Sequence, residues 1–194
     1  FMMTADGPKL LEFNARFGDP EGINVLSLYE PGDFEKVLYG VATGKVDATQ
    51  IRFRLRATVV KYVVPPGYGD RPRPGGIVTV DSGAIEAAGV HLVYGSVDAV
   101  GPASVKLSSS RGIALVGEAS AIYEAGSRVE AALAFVKGDY YVRHDIGTKE
   151  DLSRRTEHMR KLLAPGAKAS PIPLSVAPPD APPSSAGTPD QVIG

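Results

Sequence analysis

Two side chains that could hold a divalent cation lie two positions apart near the start of the chain, at Glu12 and Asn14. They fall within residues 9–14, a short and largely apolar run that predicts a buried strand. Residues two apart on a strand face the same side, so both groups should lie together while Phe13 points into a core. A carboxylate and an amide oxygen are ligands that Mg²⁺ accepts, with water and substrate phosphates completing its coordination.

The residues that follow Asn14 could bind an anion. Arg16 carries a planar guanidinium that can hold a phosphate or a carboxylate through two hydrogen bonds. Asp19 is a favoured N-cap and Pro20 a favoured first helical residue, so together they predict that a helix begins here. The free backbone N–H groups of its first turn, which includes Glu21, would also attract negative charge.

The same residues also have an ordinary structural interpretation. Glu12 could pair with Arg16, and Asn14 could make a turn hydrogen bond. Asp19 could cap the helix without contacting any ligand. Because caps of this kind are common, the spacing of these residues favours neither interpretation over the other.

The elements around this segment show helical and then extended patterns. The first helix should occupy residues 20–30, and a second should occupy residues 33–44. The buried face of the second helix is predicted to comprise apolar residues at helical spacing, Phe34, Val37, Leu38 and Val41. Over residues 52–64, apolar and polar side chains alternate as they do in a strand.

Further along, the pattern predicts an antiparallel sheet with packed helices, so the fold class is α/β to α+β. Short strands are expected at residues 77–80, 91–97, 104–107, 113–116 and 140–142. Ser120 should cap a long helix, and Thr148 begins a capping-box pattern before a final helix. The apolar stripe of the long helix is predicted to comprise Ile122, Ala125, Val129, Leu133 and Val136.

Composition excludes several classes of protein and of site. The chain has 194 residues, a net charge of −1 and no cysteine. The near-neutral charge gives no overall attraction to nucleic acid or to an anionic membrane. Without cysteine there are no disulfides, thiolate nucleophiles or cysteine-ligated zinc sites, and a reducing, cytoplasmic location is expected. Apolar runs are shorter than the roughly 18 residues that a membrane helix needs.

Two other groups of polar residues are weaker candidates. The arginines that share one face of the predicted strand at 52–64 could bind an anion, but a solvated face is expected for Arg52, Arg54 and Arg56. His144 lies within a Tyr-Tyr-Val-Arg-His-Asp-Ile-Gly run. A structural hydrogen bond is expected there rather than acid–base catalysis.

Three motifs carry a resemblance to a known family. Residues 12–21, Glu-Phe-Asn-Ala-Arg-Phe-Gly-Asp-Pro-Glu, resemble the signature of the phosphoribosylamine–glycine ligases. Residues 58–68, which begin Thr-Val-Val-Lys-Tyr-Val-Val-Pro, are similar to the first strand of that family's C-terminal domain. Residues 140–147 resemble its near-terminal motif, and Lys61-Tyr62 looks closer to archaeal members. One departure is Ile23, where the signature usually has Gln or Met.

The resemblance implies an ATP-grasp ligase of purine biosynthesis that joins glycine to 5-phosphoribosylamine through an acyl phosphate, with ATP converted to ADP and phosphate. It implies that Glu12 and Asn14 bind Mg²⁺ or Mn²⁺, and that Arg16 takes part in catalysis. Contacts with substrate are expected from Arg16, Asp19, Pro20 and Glu21. The expected partners are small molecules, namely ATP, glycine and 5-phosphoribosylamine, without nucleic acid or membrane.

The resemblance extends over about residues 1–163 and suggests three regions. Residues 1–49 are expected to end an ATP-grasp domain, 50–165 to form the ligase C-terminal domain, and 166–194 to be a disordered Pro/Ala/Ser-rich tail. Because the family's adenine pocket and phosphate-covering loop would precede Phe1, this chain is expected to be an inactive fragment when alone. Two alternatives stay open: another carboxylate-activating ATP-grasp ligase, and a non-catalytic accessory module that kept the fold.

Overall fold

The structure, a computed structural model, describes residues 1–164, so the predicted tail at 166–194 lies outside the described residues. Its elements in chain order are β1 (Met2–Thr4), β2 (Gly7–Lys9), α1 (Glu21–Leu26), α2 (Asp33–Thr43), β3 (Ala57–Val63), β4 (Ile77–Val80), α3 (Ser82–Ala87), β5 (Val90–Tyr94), β6 (Val97–Gly101), β7 (Ser104–Leu107), β8 (Ile113–Ala119), α4 (Ile122–Ala132), β9 (Val136–Gly138) and α5 (Lys149–Leu163). The paired strands are antiparallel. The predicted mixture of helices and antiparallel sheet is therefore confirmed.

Two antiparallel sheets form the body of the protein. One has the strand order β3-β8-β5 and the other β6-β7-β4-β9. The strands predicted at 77–80 and 104–107 are confirmed as β4 and β7. The strand predicted at 91–97 is instead divided between β5 and β6, because Gly95 turns the chain and its N–H bonds to the Gly112 carbonyl. The strand predicted at 140–142 is wrong, since only Tyr141 forms a bridge, to Val64.

Strand β8 lies at the centre of the core and is buried on both faces. On one face, Leu115 packs in a cluster that includes Val129 of α4. On the other face, Val116 packs with Val60 of β3 and with Ile23 of α1. Because the side chains of β8 alternate between its two faces, the strand packs against α4 on one face and against α1 on the other.

Helix α4 lies against β8 at very short range. A Cβ atom added at Gly117 of β8 would lie 2.5 Å from the Ala125 carbonyl oxygen and 2.7 Å from Cγ2 of Val129. Ala125, Val129 and the following Leu133 are buried as predicted, whereas Ile122 is 44% exposed. Ser120 does not cap the backbone as predicted, because its hydroxyl donates instead to Glu124 Oε2 at 2.6 Å. The Thr148 cap of α5 is confirmed, with Oγ1 accepting from the Asp151 N–H at 3.1 Å.

The N-terminal region differs most from the prediction. Residues 10–14 are not a strand, and Phe13 is 84% exposed rather than buried. Helix α1 ends at Leu26, earlier than predicted. Helix α2 matches its prediction and ends at Gly44, whose φ of 67° is the left-handed conformation that glycine adopts easily. Its predicted buried face is wrong for two residues, because Leu38 and Val41 are 54% and 67% exposed.

The predicted strand at 52–64 begins only at Ala57, and the arginines before it pair with carboxylates. Arg54 Nη2 lies 2.8 Å from Glu118 Oε2, and Arg56 Nε lies 3.2 Å from Glu118 Oε1. Arg52 donates its backbone N–H to the buried Asp33 carboxylate at 2.9 Å. Arg52 and Arg56 are exposed as expected, and the three arginines also form ion pairs that join this segment to β8 and α2.

A buried amino group links β3, α4 and the loop before α5. Lys61 is 1% exposed, and its Nζ donates to Glu130 Oε2 at 2.6 Å and to the His144 carbonyl at 2.8 Å. The His144 ring bonds through Nδ1 to Glu130 Oε1, which is the structural hydrogen bond that the sequence predicted. Burial raises the pKa of Glu130, but the hydrogen bonds from Lys61 and His144 outweigh it, so the net pKa is lowered.

The close approach at Gly117 generates a first prediction. Gly117→Ala should lower the free energy of unfolding by about 2–3 kcal/mol, because the new methyl group must push α4 away from β8. The matched control is Gly83→Ala in α3, where an added Cβ would make an ordinary 3.7 Å contact. The control should be neutral or stabilising by up to about 1 kcal/mol. Urea unfolding measures both, and equal effects would contradict the tight contact.

The Lys61–Glu130 pair generates a second prediction. Glu130→Gln should cost about 1–2 kcal/mol at neutral pH, because it leaves the buried ammonium without its countercharge, while the half-exposed position of Glu130 limits the loss. Since the folded-state pKa is lowered, this contribution is full above the ordinary pKa of 4.5 and is lost as the pH falls through the folded-state pKa. Urea unfolding should therefore show the difference shrinking in acid.

A matched control is Glu157→Gln on α5, whose contacts with Arg160 and Lys161 are 3.7 and 3.8 Å long and exposed. It should change the free energy of unfolding by less than about 0.5 kcal/mol. A pH-independent difference between wild type and Glu130→Gln would contradict the electrostatic explanation.

Candidate metal and phosphate site

The predicted metal ligands lie side by side on an exposed segment. The chain has no regular secondary structure between β2 and α1, and residues 10–17 are exposed. Within this segment, Asn14 Nδ2 donates to Glu12 Oε1 at 2.8 Å. The two side chains therefore lie together although the strand expected to align them is not formed. The alternative pairing of Glu12 with Arg16 does not occur among the hydrogen bonds of residues 1–164.

The donor set of this pair suits a hard cation. The Asn14 amide faces the carboxylate through its nitrogen, so its oxygen and the second Glu12 oxygen are the atoms that would be offered to an ion, and the exposed segment leaves room for water and phosphate oxygens. In residues 1–164, no three His, Asp or Glu side chains converge as a ready-made metal cage. Mg²⁺ commonly uses one or two protein ligands together with substrate phosphates, so Glu12 and Asn14 fit such an ion.

The turn that follows is compact. Arg16 Nη1 donates to the Phe17 carbonyl at 3.1 Å, which holds the exposed guanidinium close to its own backbone. The Gly22 N–H donates to the Gly18 carbonyl at 2.7 Å. A Cβ at Gly18 would lie 2.5 Å from Glu21 Oε2, so the Glu21 side chain lies over this glycine. Arg16 and Glu21 therefore lie on either side of this turn, and within residues 1–164 their side chains form no hydrogen bond with each other.

Asp19 does not cap α1 as predicted, because its carboxylate is bound elsewhere. Pro20 occupies the N-cap position, and no side-chain hydrogen bond caps the helix. Asp19 Oδ1 instead accepts from the Tyr62 hydroxyl at 2.6 Å, and Oδ2 lies 3.4 Å from Arg111 Nη1. The Arg111 guanidinium also lies 5.8 Å from the centre of the Tyr62 ring. Burial, and then the hydrogen bond to Asp19, raise the pKa of Tyr62.

Tyr62 and Arg111 were not recognised as site residues from the sequence. Tyr62 is separated from Asp19 by 43 positions and Arg111 by 92, so no local spacing relates them. The available signal was the alternation along β3, which places Tyr62 on the face opposite Lys61. The alternation identifies the face of the sheet on which Tyr62 lies, but it does not identify Asp19 as the carboxylate that Tyr62 contacts.

A second candidate lies on the opposite side of β3. A cavity of about 340 Å³ is lined by the Lys61–Glu130–His144 cluster together with residues 146–150 and part of α4. Lys149 at its edge lies 4.2 Å from the centre of the Tyr123 ring. None of the predicted site residues lines this cavity, and the side chains of its charged cluster already bond to each other. The cluster therefore has a structural role.

The chain matches no family model. It is 43% identical over 162 residues to the phosphoribosylamine–glycine ligase of Methanocaldococcus jannaschii, covering 84% of this chain and 36% of that protein. It is 41% identical over 162 residues to the Pyrococcus abyssi enzyme of the same name, covering 35% of it. The chain thus spans about a third of the length of these curated relatives.

A solved structure supports the same fold. The crystal structure of phosphoribosylamine–glycine ligase from Thermotoga maritima aligns with a TM-score of 0.60 at 21% identity, over 75% of this chain and 35% of that one. Within residues 1–164, no helix is long and apolar enough to cross a membrane. Over its 162 aligned residues, the chain is therefore similar to about a third of a phosphoribosylamine–glycine ligase.

Proposed function

We propose that the protein to which this chain belongs joins glycine to 5-phosphoribosylamine, with ATP as the energy source, to give glycinamide ribonucleotide, ADP and phosphate. The observation that carries the proposal is the 2.8 Å hydrogen bond that places the side chains of Glu12 and Asn14 side by side. The chain that contains them is 43% identical to the phosphoribosylamine–glycine ligase of Methanocaldococcus jannaschii. The proposed substrates are small molecules, and the proposed location is the cytoplasm.

The proposed reaction has two group transfers. An oxygen of the glycine carboxylate attacks the γ-phosphorus of ATP, and the bond from that phosphorus to the bridging oxygen of ADP breaks. The amine of 5-phosphoribosylamine then attacks the acyl carbon, loses a proton and expels phosphate. The difficult part is to bring an anionic carboxylate to an anionic triphosphate. Bound Mg²⁺ or Mn²⁺ would supply positive charge between them.

The residues of this chain would position the reactants. Glu12 and Asn14 would hold the metal ion, since both offer oxygen ligands on one exposed segment. Arg16, which is exposed and tied back by the Phe17 carbonyl, would stabilise negative charge on the phosphoryl group during transfer. The turn from Asp19 through Pro20 to Glu21 would contact substrate through its backbone and through the Glu21 carboxylate.

We also propose the division of the chain expected from its motifs. Residues 1–49 would complete an ATP-grasp domain, and residues 50–165 would form the ligase C-terminal domain. Contacts between them support a fixed arrangement, since Arg54 bonds both to Glu118 Oε2 and to the Ser27 carbonyl. Tyr29 and Phe53 also form a bridge between the two regions, with ring centres 4.4 Å apart.

The metal assignment can be tested in a complete ligase. The matching third of the Methanocaldococcus jannaschii enzyme is replaced by residues 1–164, and ADP formation is measured with both substrates. The chimera should require glycine and 5-phosphoribosylamine together. Glu12→Gln should lower kcat by about a hundredfold or more, because a neutral amide no longer holds the cation at the transferring phosphoryl group.

Glu86→Gln, at an exposed position on α3, is the control and should leave the rate unchanged. Circular dichroism checks that each chimera is folded. Near-normal turnover in Glu12→Gln would refute the metal assignment. A folded chimera that forms ADP with a different carboxylate would indicate another member of the ATP-grasp group.

A further inference from the structure

Within residues 1–164, the side-chain hydrogen bonds that join segment 10–19, which carries the candidate metal ligands, to the β3-β8-β5 sheet are made by Asp19. Asp19 closes the turn that follows Glu12 and Asn14, and its two carboxylate oxygens face Tyr62 at 2.6 Å and Arg111 at 3.4 Å. Tyr62 lies on β3 opposite Ala114 of β8, and Arg111 lies just before β8. Strand β3 and the loop just before β8 therefore present both groups to one carboxylate.

Apolar packing beside the Asp19 contact also attaches helix α1 to the sheet. Ile23 of α1 packs with Val60 and Val116 on the same face of the sheet as Tyr62. Between Asp19 and Ile23, the Gly22 N–H donates to the Gly18 carbonyl at 2.7 Å, and Gly22 is buried. Helix α1 is thus packed on the sheet, while the turn before it depends on the bonds that Asp19 makes.

We propose that Tyr62 is a positioning residue for the ligase reaction, which acts through Asp19 to hold the turn that follows Glu12 and Asn14 in one orientation on the sheet. Arg111 supports the same carboxylate from its second oxygen. This inference rests on the proposed function for its catalytic consequence, but its structural part concerns the turn alone.

The chemistry of the contact suits a fixed attachment. A phenol that stays protonated donates to a carboxylate at every physiological pH, and the raised pKa of Tyr62 keeps it in that form. The Tyr62 ring is held by its strand and by the cluster around Val60, so few rotamers need to be restricted when the bond forms. The longer contact to Arg111, whose side chain is 40% exposed, cannot hold Asp19 equally well alone.

The test measures hydrogen exchange of individual amides in the 194-residue chain. In Tyr62→Phe, which removes the hydroxyl and keeps the ring, the Gly22 amide should exchange about tenfold faster, as expected for loss of a charge-assisted hydrogen bond. The amide of Leu152 in the first turn of α5, which donates to the Thr148 carbonyl at 3.1 Å and can open without breaking the Asp19 contact, should be unchanged. Tyr39→Phe, an exposed tyrosine on α2, is the matched control and should change neither amide.

A double variant shows whether Tyr62 acts through Asp19. In an Asp19→Ala background, Tyr62→Phe should add less than about a twofold further increase at Gly22, because the acceptor is already absent. Fully additive effects would overturn the proposal. An unchanged Gly22 rate in Tyr62→Phe would overturn it too, as would equal acceleration at Gly22 and at Leu152, whose local opening does not involve Asp19.

The catalytic consequence is measured separately in the chimeric ligase. Tyr62→Phe should lower kcat/KM for Mg·ATP by about tenfold, because a turn with several orientations binds the metal–nucleotide complex less well. Normal kcat/KM would overturn the positioning role in the reaction even if exchange at Gly22 rises. An inactive wild-type chimera that is folded would instead count against the proposed function, and the exchange measurements would still decide whether Tyr62 holds the turn.

Discussion

The packing of β8 between helices on its two faces is the constraint on which the rest of the structure depends. The strand is buried throughout its first five residues, so every one of its side chains must meet a partner from another element. On one side α4 approaches so closely that position 117 has space only for glycine. On the other side α1 is attached through Ile23. A change in the position of β8 would therefore move both the structural helix and the segment with the candidate ligands.

Strand β3 pairs with β8 and therefore fixes the positions of its two polar side chains, Lys61 and Tyr62. Its odd-numbered position 61 sends a lysine towards α4, where Glu130 and the His144 carbonyl satisfy the buried ammonium. Its next position sends Tyr62 to the opposite face, where Asp19 accepts a hydrogen bond from the phenolic O–H group. A register slip of one residue would exchange these two faces and leave a charged amine on the side of Asp19 and an aromatic ring beside Glu130. The order Lys61-Tyr62 is therefore as important for the structure as residues 12–21, which contain the candidate ligands.

Local patterns predicted the elements whose stabilising contacts are also local. Helix α2, its C-terminal Gly44 and the Thr148 cap of α5 depend on residues within one or two turns, and the structure confirms them. Of the strand expected at residues 9–14, only Lys9 lies in a strand, β2, although the run is largely apolar. A strand needs a hydrogen-bonding neighbour, and composition does not reveal whether a neighbour is present. The bonds of Asp19 to Tyr62 on β3 and to Arg111 before β8 could likewise not be predicted from the spacing of residues in the sequence.

The exposed position of Glu12 and Asn14 is compatible with the proposed metal site. Two protein oxygens are too few to bind Mg²⁺ firmly on their own, so the ion must take most of its ligands from water and from the triphosphate. A deeply buried pair would leave no space for those ligands and would resist the exchange of substrate and product. The segment therefore needs to be open to solvent yet held in orientation. Burial cannot provide that orientation here, and a hydrogen bond from the rigid sheet to Asp19 can provide it without closing the site.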